Sequence, residues 1–201
     1  MSDQSVFFDS RAEEWEAKCY PPEVRSRLVA LVNEFRIAPG SRVLDVGSGP
    51  GLLYPYLKEL TGEGGTVVAF DISLNMIRQG RKKVISSRDL LFQGDAMAMA
   101  LHDTLFDHVL CFAAFPHFSD PEKALRELCR VAKPGAEVVI AHLLSREELA
   151  RHHGSHDAVA DDVLPPAEKM SQYFVESGLE HPEIIDIPGR YMARARRRRD
   201  R

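Results

Sequence analysis

The sequence has few cysteines, no long apolar segment and no secretory signal. Its three cysteines lie far apart among 201 residues without a Cys-x-x-Cys pair, which favours free thiols over a disulfide framework. No apolar run approaches the roughly 20 residues that span a bilayer. The first four residues lack a basic-then-apolar pattern. We therefore expect a single-domain cytoplasmic protein, monomeric or homodimeric, with no membrane partner.

Two common nucleotide-binding signatures are also missing. A dinucleotide fingerprint that starts at Gly47 needs its third glycine at position 52, which is Leu52. No Gly-Lys-Ser/Thr sequence occurs, so a P-loop is excluded. A nicotinamide-dependent dehydrogenase is therefore disfavoured.

The net charge of −4 is unevenly distributed. Residues 194–201 contain six arginines and one aspartate, a net charge of +5, which leaves −9 on the rest of the chain. An acidic body argues against a nucleic-acid partner. The arginines could bind RNA, but their alternation over 190–196 favours an edge strand with exposed charges that prevent unwanted pairing.

Short apolar runs alternate with helical stretches along the chain. The predicted strands are 43–46, 66–70, 90–92, 108–112, 138–144, 183–187 and 190–196. The predicted helices are 11–18, 23–35, 52–60, 74–85, 121–131 and 165–177. Capping boxes are expected at Ser119–Glu122 and Ser145–Glu148, and Pro134-Gly135 should end the helix before the fifth strand. The alternation predicts an α/β fold whose parallel sheet carries helices on both faces.

The first strand ends in a glycine-rich loop, Asp45-Val46-Gly47-Ser48-Gly49-Pro50-Gly51. Glycines at such a turn bring the backbone close to a ligand. The carboxylate of Asp45 would repel a pyrophosphate but suits a ligand with an ammonium and a sulfonium. This run resembles the first motif of the class I S-adenosylmethionine-dependent methyltransferases. The resemblance extends over residues 35–145 and includes Asp71, Gly94-Asp95-Ala96 and the segments 106–111 and 128–139.

The resemblance implies a Rossmann-like three-layer sandwich with a mostly parallel seven-stranded sheet and a C-terminal antiparallel hairpin. It implies S-adenosylmethionine as cofactor and S-adenosylhomocysteine as product, with Asp71 on the ribose hydroxyls and Asp95 at the adenine amino group. The implied cofactor-binding residues are Asp45, Gly47, Ser48, Gly49, Gly51, Asp71, Ile72, Asp95, Ala96, Met97, Cys111 and Phe112.

The acceptor is expected outside the carboxyl ends of the fourth and fifth strands. The candidate wall of its pocket comprises Phe8, Trp15, Tyr20, Phe115, His117, His142, His152, His153 and His156. His117 and His142 are the candidate catalytic residues, because a general base is required when an acceptor must lose a proton. The sequence contains no catalytic triad.

Three regions are expected within the domain. Residues 1–36 supply N-terminal helices, which could form a lid or simply an amphipathic cover with Phe8, Ala12 and Trp15 on its apolar stripe. Residues 37–145 form the cofactor-binding core. Residues 146–201 supply the acceptor-side helices and the terminal hairpin.

A histidine-rich block follows the fifth strand. His152 and His156 have i,i+4 spacing, and Asp157, Asp161 and Asp162 follow, so this block could bind a metal. Gly154 would interrupt the helix between the two histidines, and histidines also complement the dipole at a helix end. Segment 142–166 further resembles a block shared by a subgroup of poorly assigned prokaryotic methyltransferases.

The sequence thus predicts methyl transfer to a small-molecule acceptor by in-line displacement. The alternative is a non-catalytic cofactor- or metal-binding module. An RNA methyltransferase is less favoured, since the chain lacks an Asn/Asp-Pro-Pro-Tyr-type motif and the cysteine pattern of the carbon-5 enzymes.

Overall fold

The computed structural model describes residues 3–154, 159 and 161–199. The helices in these residues are α1 (Asp3–Asp9), α2 (Trp15–Cys19), α3 (Pro22–Asn33), α4 (Tyr54–Thr61), α5 (Leu74–Gly80), α6 (Pro121–Val131), α7 (Arg146–His153) and α8 (Ala167–Glu176). The strands are β1 (Arg42–Val46), β2 (Thr66–Asp71), β3 (Leu90–Gln93), β4 (Phe106–Phe112), β5 (Ala132–His142), β6 (Leu179–Ile187) and β7 (Arg190–Arg197). Short 3-10 helices occur at Arg81–Lys83 and Phe115–His117.

The strands form one seven-stranded sheet in the order β3-β2-β1-β4-β5-β7-β6. Strands β1 to β5 are parallel, whereas β7 runs antiparallel to both β5 and β6. Parallel neighbours require crossover connections, and the helices between the strands supply them. This confirms the predicted fold, including the C-terminal hairpin.

Side chains that alternate along the strands fill a separate hydrophobic core on each face of the sheet. On one face, Val109 of β4 belongs to the core that contains Leu128 of α6 and Phe174 of α8. On the other face, its neighbour Leu110 belongs to the core that contains Leu31 of α3 and Leu57 of α4. The sheet is therefore the middle of three layers, and the carboxyl ends of its parallel strands stay open for a site.

Several predicted boundaries were wrong. The N-cap of α6 is Asp120, whose carboxylate accepts a hydrogen bond from the backbone N–H of Lys123 at 2.9 Å, so Ser119 does not begin a capping box. Pro134-Gly135 lies inside β5, because α6 has already ended at Val131. Residues 11–14 form turns rather than helix. The capping box of Ser145 and Glu148 is confirmed.

The interpretation of the terminal arginines as exposed charges on an edge strand was also wrong. Strand β7 lies between β5 and β6, so its backbone is paired on both sides. Arg194 is buried, and its guanidinium lies 2.7 Å from the carboxylate of Glu183. Arg197 donates hydrogen bonds to the carbonyls of Cys129, Arg130 and Ala132, at the C-terminal end of α6. These arginines therefore have structural partners.

None of the helices in the described part of the chain combines the length and the apolar character that crossing a membrane would require.

Candidate active site

The glycine loop after β1 is held in a conformation that only glycine adopts readily. Gly47, Gly49 and Gly51 have φ angles of 67°, 54° and 70°, all in the left-handed region. A Cβ atom on Gly47 would lie 2.3 Å from the Cβ of Ala114. The loop consequently packs directly against the segment that follows β4.

Asp71 connects this loop to the next helix. Its carboxylate accepts hydrogen bonds from the backbone N–H groups of Gly49 and Ser73, both at 2.8 Å. Burial raises the pKa of Asp71, and the two N–H donors partly oppose that effect. The carboxylate is thus fixed at the end of β2, between the glycine loop and the start of α5.

Two polar atoms beneath and within the loop have no hydrogen-bond partner among the described residues. They are Oδ2 of Asp45 and Oγ of Ser48, and both are buried. Burial, with a smaller contribution from the charge of Asp71, raises the pKa of Asp45 to about 7. Buried polar groups usually have partners, so the two unpartnered atoms mark the glycine loop as a candidate ligand site.

A cavity opens in front of the loop. Its wall consists of Phe8, Trp15, Tyr20, Gly47, Ser48, Gly49, Pro50, Leu52, Phe70, Asp71, Ile72, Met76, Gly94, Asp95, Ala96, Met97, Phe112, Ala113, Ala114, His117 and Phe118. We refer to it as the cofactor cavity. Apolar walls with a few fixed polar groups suit a ligand that carries an adenine ring, a ribose and a charged tail.

Most residues that the sequence implied for the cofactor line this cavity, and three do not. Asp45, Gly51 and Cys111 are buried behind the wall rather than part of it. Asp45 can therefore act on a ligand only through its electric field. Phe70 and Met76 line the cavity without having been anticipated. Each lies close in sequence to Asp71, and that proximity was the only available signal.

The N-terminal segment covers the mouth of the cofactor cavity. The ring of Phe8 makes edge-to-face contacts with Trp15 at 5.5 Å and with His117 at 5.1 Å. The carboxylate of Asp9 accepts hydrogen bonds from the hydroxyl of Ser73 and from the backbone N–H of Asn75. These bonds fix the segment at the N-terminus of α5, directly beside Asp71.

A second and larger cavity adjoins the first. We refer to it as the acceptor cavity. The two cavities share the wall residues Phe8, Trp15, Tyr20, Ala113 and His117, and we refer to the place where these residues lie as the junction of the cavities. The other wall residues of the acceptor cavity are Phe7, Ser10, Arg11, Glu14, Lys18, Cys19, Val24, Arg27, His142, Leu143, Leu144, Leu149, His152, His153 and Val159.

Two of the histidines converge on Asp162. Nδ1 of His117 lies 2.6 Å from the Asp162 carboxylate, and Nδ1 of His153 lies 2.5 Å from the Asp162 backbone carbonyl. The two rings are 5.2 Å apart. Sequence reasoning had considered Asp162 only as a possible metal ligand, because a pair 45 residues apart in sequence leaves no local pattern.

The hydrogen bonding and burial of His142 define the state of its ring. Its Nδ1 accepts a hydrogen bond from the backbone N–H of Leu144 at 2.9 Å. Burial and the neighbouring histidines lower the pKa of His142 to about 3, so its ring is neutral at ordinary pH. A neutral ring with Nδ1 as acceptor carries its hydrogen on Nε2.

One residue that was expected on the acceptor wall is not found there. Phe115 is fully buried in the hydrophobic core, where it packs against Phe118 and lines neither cavity. His156 and Asp157 lie outside the described residues. Within the part of the chain that the structure describes, no group of three or more histidine, cysteine, aspartate or glutamate side chains has the arrangement of a metal site.

Comparisons with known proteins agree with this geometry. Residues 44–140 match a family described as a methyltransferase domain. The chain is 36% identical over 184 residues to demethylmenaquinone methyltransferase of Shouchella clausii, and the match covers 79% of this chain and 78% of that protein. It is also 31% identical over 162 residues to the ubiquinone/menaquinone biosynthesis C-methyltransferase UbiE of Serratia proteamaculans. That match covers 75% of this chain and 64% of that protein.

The fold has a similar solved relative. A crystal structure of a SAM-dependent methyltransferase from Aquifex aeolicus superposes with a TM-score of 0.70 at 22% identity. The superposition covers 96% of each chain.

Proposed function

Because the chain belongs to the class I S-adenosylmethionine-dependent methyltransferases, we propose that it transfers a methyl group to a small-molecule acceptor held in the acceptor cavity. The observation that carries this proposal is the shared wall of the two cavities. Phe8, Trp15, Tyr20, Ala113 and His117 line both of them, so the cofactor and the acceptor would lie side by side at this junction. Alignment of two reactants at such a junction favours in-line displacement.

The residues of the cofactor cavity fit S-adenosylmethionine, the cofactor of this enzyme. When bound, this cofactor supplies an electrophilic methyl group on a positively charged sulfonium. In this proposal Asp71 accepts hydrogen bonds from the ribose hydroxyls, and Asp95 interacts with the adenine amino group. The glycine loop brings its backbone close to the methionine part, Ser48 lines the same cavity with an unpartnered hydroxyl, and Asp45 lies buried behind the wall.

The wall of the acceptor cavity favours an aromatic acceptor. Phe8, Trp15 and Tyr20 supply flat apolar surfaces, and His142 supplies an N–H donor at a partly buried position. Such a wall suits a ring that carries polar substituents. The two relatives are named a demethylmenaquinone methyltransferase and a ubiquinone/menaquinone biosynthesis C-methyltransferase. An aromatic acceptor of the quinone class is consistent with this wall.

The three regions of the chain have separate roles in this proposal. Residues 1–36 act as a lid. The hydrogen bonds that Asp9 accepts from Ser73 and Asn75, at the start of α5, set the position of this lid. Residues 37–145 bind the cofactor, and residues 146–201 complete the acceptor wall through His152 and His153. A lid of this kind excludes water and holds both molecules in position.

Calorimetry with S-adenosylhomocysteine tests the proposal without knowledge of the acceptor. We expect binding to the wild-type protein with a stoichiometry of one, and weaker binding after Asp71→Asn. His102→Gln is the control, because His102 is exposed and lines neither cavity. Failure of the wild-type protein to bind at millimolar ligand would refute the proposed function.

A further inference from the structure

We propose that His142 selects the acceptor by donating a hydrogen bond from its Nε2–H to a carbonyl oxygen on the acceptor ring. His142 is then a specificity-determining residue and not a base, and the acceptor is a ring that carries a carbonyl group. This inference rests on the proposed function, since it assumes that the acceptor lies in the acceptor cavity.

A backbone contact fixes the tautomer of the His142 ring. Nδ1 accepts a hydrogen bond from the backbone N–H of Leu144 at 2.9 Å. A nitrogen that accepts a hydrogen bond carries the lone pair, so the hydrogen of the neutral ring is on Nε2. Strand pairing holds the backbone of His142 as well, because it lies opposite Tyr191 in the register of β5 and β7. The direction of the donor is therefore set before any ligand arrives.

The surroundings of His142 keep its ring neutral. Burial lowers the pKa of His142 to about 3, and the nearby His153, His117 and His152 act in the same direction. These three histidines come from α7 and from the 3-10 helix after β4, so the effect does not depend on a single element. At ordinary pH, Nε2 of His142 thus offers one hydrogen and cannot take up another.

The donor is accessible from the acceptor cavity. His142 lines this cavity, and no described residue forms a hydrogen bond with its Nε2. Nε2 is also not among the fully buried atoms of the described residues that lack a partner, so a molecule in the cavity can reach it. The ring of Phe112 stacks 6.5 Å from that of His142 and shields one side of it.

A partly buried donor discriminates strongly between ligands. A ring without an oxygen at this position leaves the N–H without a partner, and the free-energy cost of that loss is paid only by the wrong ligand. A group that can only donate a hydrogen bond is rejected for the same reason, because two donors face each other. A carbonyl oxygen has lone pairs and no hydrogen, so it matches His142.

The other polar groups of this wall match a carbonyl oxygen less well. Nδ1 of His153 lies 2.5 Å from the backbone carbonyl of Asp162. A carbonyl only accepts, so Nδ1 carries the hydrogen and Nε2 of the neutral ring presents a lone pair. The cavity also has three cationic wall residues, Arg11, Lys18 and Arg27. They are exposed, so water competes for their hydrogen bonds.

Two matched ring compounds test the selection without turnover. We would titrate 1-tetralone and tetralin, which have the same fused rings and differ by one carbonyl group, into protein saturated with S-adenosylhomocysteine. His142→Phe keeps a ring and removes the donor. It should weaken binding of 1-tetralone about 2- to 10-fold, the value of one hydrogen bond, and leave the affinity for tetralin unchanged. Because each ligand is compared between two proteins, the different hydrophobicity of the ligands cancels.

Two further variants serve as controls for this titration. His142→Gln retains an N–H donor and should recover part of the affinity for 1-tetralone. His102→Gln should behave as the wild-type protein, because His102 is exposed and lines neither cavity.

Infrared spectroscopy of bound 1-tetralone detects the hydrogen bond itself. A hydrogen bond lowers the stretching frequency of a carbonyl group, and a carbon-13 label separates this band from those of the protein. The frequency in the wild-type protein should lie below that in a dry apolar solvent and should rise in His142→Phe. A residue with a merely structural role would not move this band. If His142→Phe does not fold, the frequencies in the wild-type protein and in His142→Gln decide.

Four outcomes would overturn the inference while S-adenosylhomocysteine still binds. They are equal losses of affinity for both ligands in His142→Phe, an unchanged affinity for 1-tetralone, a bound carbonyl frequency equal to that in the apolar solvent, and no binding of 1-tetralone to the wild-type protein. Absence of S-adenosylhomocysteine binding would instead refute the proposed function itself.

Discussion

Replacement of Gly47 by alanine tests the packing on which the cofactor cavity depends. The left-handed φ of 67° costs an alanine about 1–2 kcal/mol. The new Cβ would lie 2.3 Å from the Cβ of Ala114, and an overpacked contact of this kind costs about 1–3 kcal/mol more. We therefore expect Gly47→Ala to lower the free energy of unfolding by about 2–5 kcal/mol.

Gly49→Ala is the matched control for this change. Gly49 belongs to the same loop and has a left-handed φ of 54°, but an added Cβ would meet no atom within 4 Å. Its expected loss is the conformational cost alone, about 1–2 kcal/mol. Urea unfolding of both variants in the absence of ligand measures the difference, which isolates the contact with Ala114.

The double variant Gly47→Ala/Ala114→Gly sharpens the test. Removal of the Ala114 methyl group eliminates the clash, so the double variant should be more stable than Gly47→Ala alone, despite the cost of about 0.5–1 kcal/mol that a new glycine brings. Equal unfolding free energies for Gly47→Ala and Gly49→Ala would refute the described packing of the loop. So would a failure of Ala114→Gly to restore stability.

Three further predictions concern Asp71, Asp45 and Arg197. Asp71→Asn should weaken S-adenosylhomocysteine binding about 10- to 100-fold by calorimetry, because hydrogen bonds to a charged group contribute about 1.5–3 kcal/mol; an unchanged affinity would contradict this role. Burial raises the pKa of Asp45 to about 7, above its unfolded value, so its contribution to the unfolding free energy falls as pH rises from about 4 to 7. Asp45→Asn should remove this fall in urea titrations at successive pH values, and an unaltered pH dependence would contradict it. Arg197→Ala should lower the unfolding free energy by about 1–3 kcal/mol, because three carbonyls lose a donor. Arg198→Ala, which removes only an exposed ion pair with Glu180, should lower it by at most about 1 kcal/mol. Equal losses in urea unfolding would contradict this prediction.

The parallel sheet was predictable because its determinants are local. Apolar runs such as 43–46 and 66–70 mark buried strands, and the glycines after Val46 mark the ligand-binding turn. Asp71 and Asp95 came from the family resemblance; the structure has Asp71 as the last residue of β2 and Asp95 two residues after the end of β3.

Features that depend on distant contacts were not predictable in this way. The alternating arginines of β7 look the same in sequence whether the strand is at an edge or inside the sheet. Only the fold places Arg197 against the end of α6 and Arg194 beside Glu183. The contact between His117 and Asp162 likewise exists only because the chain after α7 returns to the junction of the cavities.

Local competition explains the errors at helix ends. Ser119 and Asp120 are adjacent residues that can each cap a helix, and the one nearer to Pro121 does so. Phe115 was expected on the acceptor wall because aromatic residues surround it in sequence. Its position in a 3-10 turn directs it into the core instead.

A crystal structure of the protein with S-adenosylhomocysteine would test the central claim most directly. The account predicts that the ligand lies across the glycine loop, with its ribose hydroxyls within hydrogen-bond distance of the Asp71 carboxylate. Its sulfur should be directed to the junction of the cavities, beside His117. A well-ordered ligand bound elsewhere, or with its ribose away from Asp71, would contradict the account.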